Sequence, residues 1–245
     1  MPMLGFGVFQ VTDLMQCKQI VLDAIDVGYR LFDTAAVYGN EAAVGEAIAE
    51  AIAMGKVKRE DLFITSKLWV QDMNAYDVDE GIDQSLRNLG LEYIDLYLLH
   101  QAMGDYFSAW RGLEQAYRDG RLMDIGVSNF YPNVLTNFCE NVDIKPAVNQ
   151  IELHPYFQQP DALDTMKYYD VLPEAWAPLG GGRYSPFEEK LLQDIAETHD
   201  KTVGQVVLRW NIQRGVVVIP KTTHKERMIE NINVWDFELS QDEME

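Results

Sequence analysis

An acid and a phenol lie close together near the start of the chain, in the stretch Arg30-Leu31-Phe32-Asp33-Thr34-Ala35-Ala36-Val37-Tyr38-Gly39-Asn40-Glu41. A short apolar run ends at Asp33, and residues 41–54 have helical spacing, so Tyr38 is predicted on a strand-to-helix turn. A carboxylate and a phenol at the end of one strand could form part of a proton-transfer site. A helix cap and a packed aromatic ring explain the same residues equally well, so this stretch alone leaves both interpretations open.

Polar or aromatic side chains also follow the other apolar runs of the sequence. They are Lys67, His100, Ser128, Asn129, Gln150, Trp176 and Lys221. Each alone has an ordinary structural explanation, as a solvated cation, a hydrogen-bonded core group or a packed ring. If the runs are parallel strands of one barrel, however, all of these groups lie at its carboxyl-terminal mouth, where barrel enzymes place their active sites. Their recurrence after strand upon strand favours a functional site.

Four of these groups are suited to donating a proton to a carbonyl oxygen. A free tyrosine has a pKa near ~10, and a lysine ammonium close to Tyr38 would lower that pKa. Asp33 could keep a buried Lys67 charged, and His100 could orient the carbonyl through a hydrogen bond. Reduction of a carbonyl also needs a hydride, which no side chain supplies, so the chemistry calls for a nicotinamide cofactor.

A group of cations near the end of the chain suits the phosphates of such a cofactor. Lys221, Lys225 and Arg227 lie just before or within the first turn of a predicted helix, beside Thr222. Cations at a helix N-terminus form a phosphate site, and a bidentate Arg227 would bind a ribose 2′-phosphate, which favours NADPH over NADH. A solvated helix face is the alternative interpretation of these cations.

Three residues are candidates for the nicotinamide itself. The face of Trp176 could stack on the nicotinamide ring. Asn129 and Gln150 could hydrogen-bond its carboxamide group.

Apolar runs and helical patterns alternate about eight times along the chain. The predicted strands are residues 3–9, 30–34, 62–66, 94–99, 122–127, 147–148, 172–176 and 216–219. The predicted helices are residues 14–27, 41–54, 78–89, 106–118, 132–141, 161–168, 186–199, 203–213 and 225–232. Continuously apolar strands indicate a parallel sheet buried on both faces. Eight units in one domain, residues 1–245, fit a (β/α)₈ barrel better than a doubly wound sheet.

The composition limits the classes of partner. A net charge of −19 over 245 residues would repel nucleic acid and anionic membranes, so we expect neither as a partner. No apolar stretch approaches the roughly 20 residues of a membrane span. Cys17 and Cys139 have no metal or redox spacing, and we expect them to be reduced thiols in a cytoplasmic protein.

The motifs resemble those of the aldo-keto reductase superfamily over essentially the whole chain. They are Asp33-Thr34-Ala35 with Tyr38-Gly39, Ile64-Thr65-Ser66-Lys67, Asp95-Leu96-Tyr97-Leu98-Leu99-His100, Gly126-Val127-Ser128-Asn129-Phe130, Asn149-Gln150-Ile151-Glu152-Leu153-His154-Pro155 and Ile219-Pro220-Lys221. They occur in the family order, and the bacterial branch of 2,5-diketo-gluconate and glyoxal reductases is the most similar. The resemblance implies a (β/α)₈ barrel that reduces carbonyl compounds with NADPH and uses no metal.

The resemblance also implies roles for particular residues. The catalytic tetrad would be Asp33, Tyr38, Lys67 and His100. Contacts to the nicotinamide would come from Ser128, Asn129, Gln150 and Trp176. The adenosine 2′-phosphate and its surroundings would be bound by Lys221, Thr222, Arg227, Glu230 and Asn231.

Expectations about the substrate and the chain ends rest partly on departures from the family pattern. Phe9, Trp69 and His100 are expected to line the substrate pocket together with Gln101, a polar residue that favours small or hydroxylated carbonyls over steroids. The chain begins almost at its first strand and stops at Glu245, without the N-terminal hairpin and C-terminal tail of relatives, so it is either trimmed or has an open pocket.

We expect a monomer or weak homodimer. The alternative to an enzyme is a non-catalytic NADPH-binding regulatory or structural subunit.

Overall fold

A computed structural model describes residues 1–74 and 77–245 of the chain. Its described residues form a parallel sheet of eight strands whose spatial order is the order of the sequence. The strands are β1 (Phe6–Gly7), β2 (Leu31–Asp33), β3 (Phe63–Leu68), β4 (Ile94–Leu99), β5 (Leu122–Ser128), β6 (Val148–Glu152), β7 (Leu172–Trp176) and β8 (Val217–Val218). The sheet closes through a parallel bridge between Leu4 and Val218, with Gly5 N donating to Val218 O at 2.8 Å. The predicted (β/α)₈ barrel is therefore confirmed.

Helices follow the strands on the outside of the barrel. They are α1 (Leu14–Val27), α2 (Glu41–Ala53), α3 (Val78–Leu89), α4 (Tyr106–Arg118), α5 (Pro132–Cys139), α6 (Pro160–Tyr169), α7 (Lys190–Thr198), α8 (Val203–Gln213), α9 (Lys225–Ile232) and α10 (Gln241–Met244). Local sequence sets several of their ends. In α1, the Asp13 carboxylate accepts from the backbone N–H groups of Met15 and Gln16, and Gly28 ends the helix at φ 120°.

The barrel interior has an apolar part and a polar part. Side chains alternate between the two faces of a strand, so every second residue points inward. The apolar interior consists of two clusters formed by Leu31, Val217, Ile219, Leu96, Leu98 and Val148. Two residues further along their strands, Asp33 follows Leu31 and Gln150 follows Val148. The same alternation that builds the apolar interior therefore places polar groups above it, toward the carboxyl ends of the strands.

The outer core lies between the sheet and the helices. It contains the outward-facing residues of the strands, such as Phe32, Ile64, Tyr97 and Ile151, packed against the apolar sides of the helices. One close approach within the sheet requires a glycine, because a Cβ on Gly126 would lie 2.7 Å from the carbonyl oxygen of Val148. The barrel is thus filled on both sides of its wall, which gives the site a rigid base.

Three elements differ from the predictions. The predicted strand 3–9 is shorter, since only Phe6–Gly7 forms a regular strand. The predicted helix 186–199 is divided into a 3₁₀ turn at Pro186–Glu188 and α7. The predicted helix 225–232 is followed by a further helix, α10. α10 packs on α8, because the indole N–H of Trp210 on α8 donates to Met244 O on α10 at 3.2 Å.

Among the described residues, no helix combines the length and apolar character that crossing a bilayer requires.

Candidate active site

An ion pair between β2 and β3 lies at the centre of the site. Lys67 Nζ donates to both carboxylate oxygens of Asp33, at 2.7 and 2.8 Å, and to the backbone carbonyl of Thr34 at 2.9 Å. The side chains of Lys67 and Asp33 are 0% and 3% exposed. Burial penalises the charge of Lys67, but attraction and hydrogen bonding to Asp33 outweigh it and raise the lysine pKa above its ordinary value. The predicted role of Asp33, to keep a buried Lys67 charged, fits this geometry.

The loop between β2 and α2 positions Tyr38. A 3₁₀ turn, Ala36–Tyr38, ends at Gly39, which has φ 68°. Asn40 fixes this loop from inside the protein, because it accepts from the Thr34 hydroxyl at 2.7 Å and donates to the carbonyl of Val8 at 3.0 Å. The Tyr38 side chain is therefore held at the mouth of the barrel.

Tyr38 stands beside the ammonium group, as predicted. Lys67 Nζ lies 5.1 Å from the centre of the Tyr38 ring. The expected lowering of the tyrosine pKa is wrong as a net effect, however. Burial raises the pKa of Tyr38 more than the charge and hydrogen bond of Lys67 lower it, and Asp33 adds to the increase. The phenol therefore keeps its proton at neutral pH, as a proton donor must.

His100 follows β4 and contacts Tyr38. Its ring centre lies 5.7 Å from that of Tyr38 and 5.0 Å from that of Trp69. Burial, and secondarily the positive charge of Lys67, lower the pKa of His100 to about 3. The imidazole is therefore neutral at physiological pH. A neutral ring beside the phenol can orient a carbonyl by hydrogen bonding without competing with Tyr38 as the acid.

The residues predicted to line the substrate pocket surround these two rings. Phe9 is exposed, and its ring centre lies 4.9 Å from that of Tyr38. Trp69 contacts His100 from the end of β3, and Gln101 follows His100 directly. Both are partly exposed. The contacts place Phe9 and Trp69 where a substrate carbonyl next to Tyr38 would meet them.

A second group of predicted residues forms a connected platform across β5, β6 and β7. The Trp176 indole N–H donates to Asn129 Oδ1 at 2.9 Å, and Asn129 Nδ2 donates to His100 O at 3.1 Å. The Ser128 hydroxyl donates to Gln150 O at 2.9 Å. Asn129 adopts a left-handed backbone conformation with φ 62°, which turns the chain at the end of β5. The hydrogen bonds hold the partly exposed Trp176 ring in one orientation, as a stacking surface requires.

Gln150 makes contacts that the sequence did not predict. Its amide nitrogen donates to Asp33 Oδ2 and to Glu174 Oε2, both at 2.8 Å. Its expected hydrogen bond to a nicotinamide carboxamide stays a prediction. Glu174 was not singled out from the sequence, although it carries a signal. Glu174 is an acid within the apolar strand β7, two positions before Trp176, so the two side chains share the inward face of the strand.

The predicted phosphate-binding residues form a separate group after β8. Lys221 and Arg227 are exposed, and within the described ranges neither forms an ion pair. Thr222 and Asn231 are buried, and the Thr222 hydroxyl accepts from the backbone N–H of His224 at 3.1 Å. Within those same ranges, no hydrogen bond or ion pair joins this group to the tetrad.

Two other residues of that region have partners within the protein. Lys225 Nζ lies 3.0 Å from Asp23 Oδ1, so this cation is already paired, although the sequence suggested that it belonged to the phosphate cluster. Glu230 accepts from the Thr202 hydroxyl at 2.7 Å and so links α9 to the start of α8. Lys221 and Arg227 thus remain as the cations best placed for an anionic ligand.

These residues fit a nicotinamide cofactor. A fixed indole face lies at the mouth of the barrel, joined through Asn129 to the backbone of His100. Lys221 before α9 and Arg227 in its first turn are exposed cations that form no ion pair with the described residues. An anionic dinucleotide needs both an aromatic surface for its ring and positive charge for its phosphates. In a chain with net charge −19, these exposed cations supply the local positive charge that an anionic dinucleotide needs.

Comparison with known proteins places the chain in a family. The model of the aldo/keto reductase family matches residues 3–245. Glyoxal reductase of Bacillus subtilis is 44% identical over 246 residues, which cover 100% of this chain and 87% of the relative. Methylglyoxal reductase DkgA of Escherichia coli K12 is 40% identical, with 100% of this chain and 87% of the relative covered.

A solved structure agrees with these relatives. An aldo-keto reductase of Bombyx mori in complex with NADP has a TM-score of 0.95 and 36% identity, and the match covers 100% of this chain and 87% of that one. The fold and all three comparisons, with the family model, the related proteins and the solved structure, point to one conclusion. The chain belongs to the aldo/keto reductase family.

Proposed function

We propose that the chain is an NADPH-dependent reductase of small aldehydes and ketones. The observation that carries this proposal is the buried Asp33–Lys67 ion pair, whose ammonium nitrogen lies 5.1 Å from the centre of the Tyr38 ring. The NADP complex of the Bombyx mori relative and the exposed cations Lys221 and Arg227 support the choice of cofactor.

The residues of the chain divide the work of reduction. When bound, NADPH supplies the hydride. The Tyr38 hydroxyl donates its proton to the carbonyl oxygen as negative charge develops there, and Lys67 stabilises the phenolate that remains. Asp33 keeps the ammonium of Lys67 charged and in position. Neutral His100 orients the carbonyl oxygen toward the phenol.

The cofactor would be held by the platform and by the cations. Trp176, fixed through Asn129, would stack on the nicotinamide ring, with Ser128 and Gln150 nearby. Lys221 and Arg227 would bind the adenosine 2′-phosphate, with Thr222, Glu230 and Asn231 around it. These assignments follow the resemblance of the motifs, and the exposed positions of Lys221 and Arg227 after β8 support them.

Small dicarbonyl compounds are the proposed substrates. The related enzymes from B. subtilis and E. coli are named for glyoxal and methylglyoxal. Gln101 directly follows His100 and is partly exposed. As a proposed pocket residue, it would hydrogen-bond a hydroxyl or a second carbonyl group. A hydroxylated sugar acid fits the same chemistry.

A spectrophotometric assay tests this function. Loss of NADPH absorbance is followed with glyoxal, methylglyoxal, a diketo-sugar acid and, for contrast, a steroid ketone. We expect turnover with the small or hydroxylated carbonyls and much less with the steroid. NADPH binding without turnover on any carbonyl would contradict the proposal and would favour a non-catalytic NADPH-binding subunit.

A further inference from the structure

A buried acid in the barrel interior has no part in the reaction described above. Glu174 lies in the middle of β7 and is 0% exposed. Its Oε2 accepts a hydrogen bond of 2.8 Å from Gln150 Nε2. Its Oε1 is also buried and, in the part of the chain that the structure describes, has no hydrogen-bond partner. An unpartnered oxygen is costly for a charged carboxylate, so the site suits the neutral acid.

Gln150 connects this acid to the tetrad. The same amide nitrogen that donates to Glu174 also donates to Asp33 Oδ2 at 2.8 Å, so both of its hydrogens are engaged. Asp33 in turn holds Lys67. The chain of contacts therefore runs from Glu174 through Gln150 to the ion pair that stands beside Tyr38.

The charges around Glu174 also favour its neutral form. Gln150 on β6 and Val217 on β8 are its neighbours in the sheet, and neither is charged. The ionisable groups that act on it are Asp33 from β2 and Lys67 from β3, while Glu174 itself acts on Tyr38. Burial, followed by repulsion from Asp33, raises the pKa of Glu174, and the Gln150 hydrogen bond and Lys67 offset this only in part.

We propose that Glu174 is a positioning residue of the reductase, which holds the amide of Gln150 so that it donates to Asp33 and thereby fixes the ion pair beside Tyr38. The inference rests on the proposed carbonyl reductase function and deepens it. A neutral Glu174 orients the amide without adding charge. An ionised Glu174 places a second negative charge near Asp33, which makes Tyr38 a weaker acid and slows proton donation.

Two substitutions separate the positioning role from the charge. Glu174→Leu removes the acceptor for Gln150, whereas Glu174→Gln retains an acceptor oxygen and removes the ionisable group. Glu114→Gln is the matched control, because Glu114 is a buried acid on α4, outside the barrel, that accepts from the backbone N–H of Ile144 at 2.8 Å. Circular dichroism and the affinity for NADPH establish that each variant folds and binds.

Activity and spectroscopy are then compared across pH with methylglyoxal and NADPH. We expect Glu174→Leu to lower kcat about tenfold at neutral pH, near the upper value for one hydrogen bond between neutral groups, with NADPH affinity kept. The wild type should lose kcat as the pH rises through about 8, and Glu174→Gln should not show this loss. Infrared spectra of the wild type at neutral pH should contain a protonated carboxylic acid band that is absent from Glu174→Gln and present in Glu114→Gln.

The outcomes distinguish this inference from the proposed function. If no variant and no wild type turns over any carbonyl, the reductase function fails, while the infrared band still reports on Glu174. If the wild type is active and Glu174→Leu matches it in kcat, or if the pH profiles of the wild type and Glu174→Gln coincide, Glu174 does not position the tetrad. If Glu114→Gln loses as much activity as the Glu174 variants, the loss is not specific to Glu174 and the positioning role is overturned.

Discussion

Lys67 and Asp33 form a two-point ion pair that solvent does not reach. Both carboxylate oxygens accept from one ammonium nitrogen, at 2.7 and 2.8 Å, between neighbouring strands of a closed barrel. A buried pair of this kind contributes little net stability, since desolvation of two charges offsets their attraction. Removing one partner is costly, because the other charge then remains buried alone. The pair therefore serves the position and charge of Lys67 more than the stability of the fold.

The first prediction concerns this pair. Asp33→Asn leaves the buried ammonium without its counter-charge, so we expect the free energy of unfolding to fall by about 3–5 kcal/mol. Reductase activity should be lost as well, because Lys67 no longer stays charged beside Tyr38. Urea unfolding and steady-state kinetics measure the two effects.

A double variant serves as the control for that prediction. Asp33→Leu with Lys67→Met replaces both charges by apolar groups, so it should recover much of the stability lost in Asp33→Asn while remaining inactive. A double variant as unstable as the single one would show that the cost arises from packing and not from the unpaired charge.

The second prediction concerns the proton donor. Tyr38→Phe removes the acidic hydroxyl and keeps the ring, so we expect kcat to fall by about 10²–10⁴-fold with NADPH affinity unchanged. Kinetics with methylglyoxal and a fluorescence titration with NADPH measure these quantities.

Tyr29→Phe is the matched control for the loss of a tyrosine hydroxyl. Tyr29 is buried outside the site, and its hydroxyl donates to Met228 O at 3.1 Å. We expect this variant to keep kcat. Turnover by Tyr38→Phe at the rate of Tyr29→Phe would exclude the phenol as the general acid.

Much of the fold and of the tetrad could be predicted from the sequence. Apolar strands that alternate with helices specify a barrel, and the barrel places every strand's carboxyl end at one mouth. Asp33, Tyr38, Lys67 and His100 follow strands in the chain, so their proximity in space follows from topology alone. The contacts among them in the structure agree with that reasoning.

The remaining features depend on distances that no local pattern contains. The direction of the Tyr38 pKa results from burial competing with the charge of Lys67, and burial is known only once the barrel is closed. The pairing of Lys225 joins it to Asp23, 202 positions away in the sequence. Glu174 was visible in the sequence as an acid within an apolar strand, but its hydrogen-bond partner Gln150 lies on another strand.

The third prediction concerns the cofactor phosphate. Arg227 is exposed and makes no ion pair with the described residues, so it is free to bind a 2′-phosphate. Because hydrogen bonds to charged groups contribute about 1.5–3 kcal/mol, Arg227→Ala should weaken NADPH binding about 10–100-fold and NADH binding much less. Fluorescence titration with each cofactor measures the affinities.

Arg111→Ala is the control for that loss of positive charge. Arg111 lies on α4, where it donates to the Ser108 hydroxyl at 2.7 Å. We expect no selective change in NADPH affinity from this variant. Equal losses of NADPH and NADH in Arg227→Ala would remove the argument for 2′-phosphate recognition at this position.

The last prediction follows from the pH dependence of stability at Glu174. The pKa of this acid is raised from 4.5 to about 8 in the folded protein, chiefly by burial. A group that binds its proton more tightly when folded adds stability below its unfolded pKa, and that stability is lost as the pH rises through the folded pKa. The wild type should therefore lose up to about 1.4 kcal/mol per pH unit through Glu174 between these values. Glu174→Gln cannot ionise, so its free energy of unfolding should rise relative to the wild type across the same pH window. Urea unfolding of both proteins at several pH values measures the difference in their free energies of unfolding. A difference that stays constant with pH would mean that Glu174 is already ionised in the folded protein at the acidic end of the window.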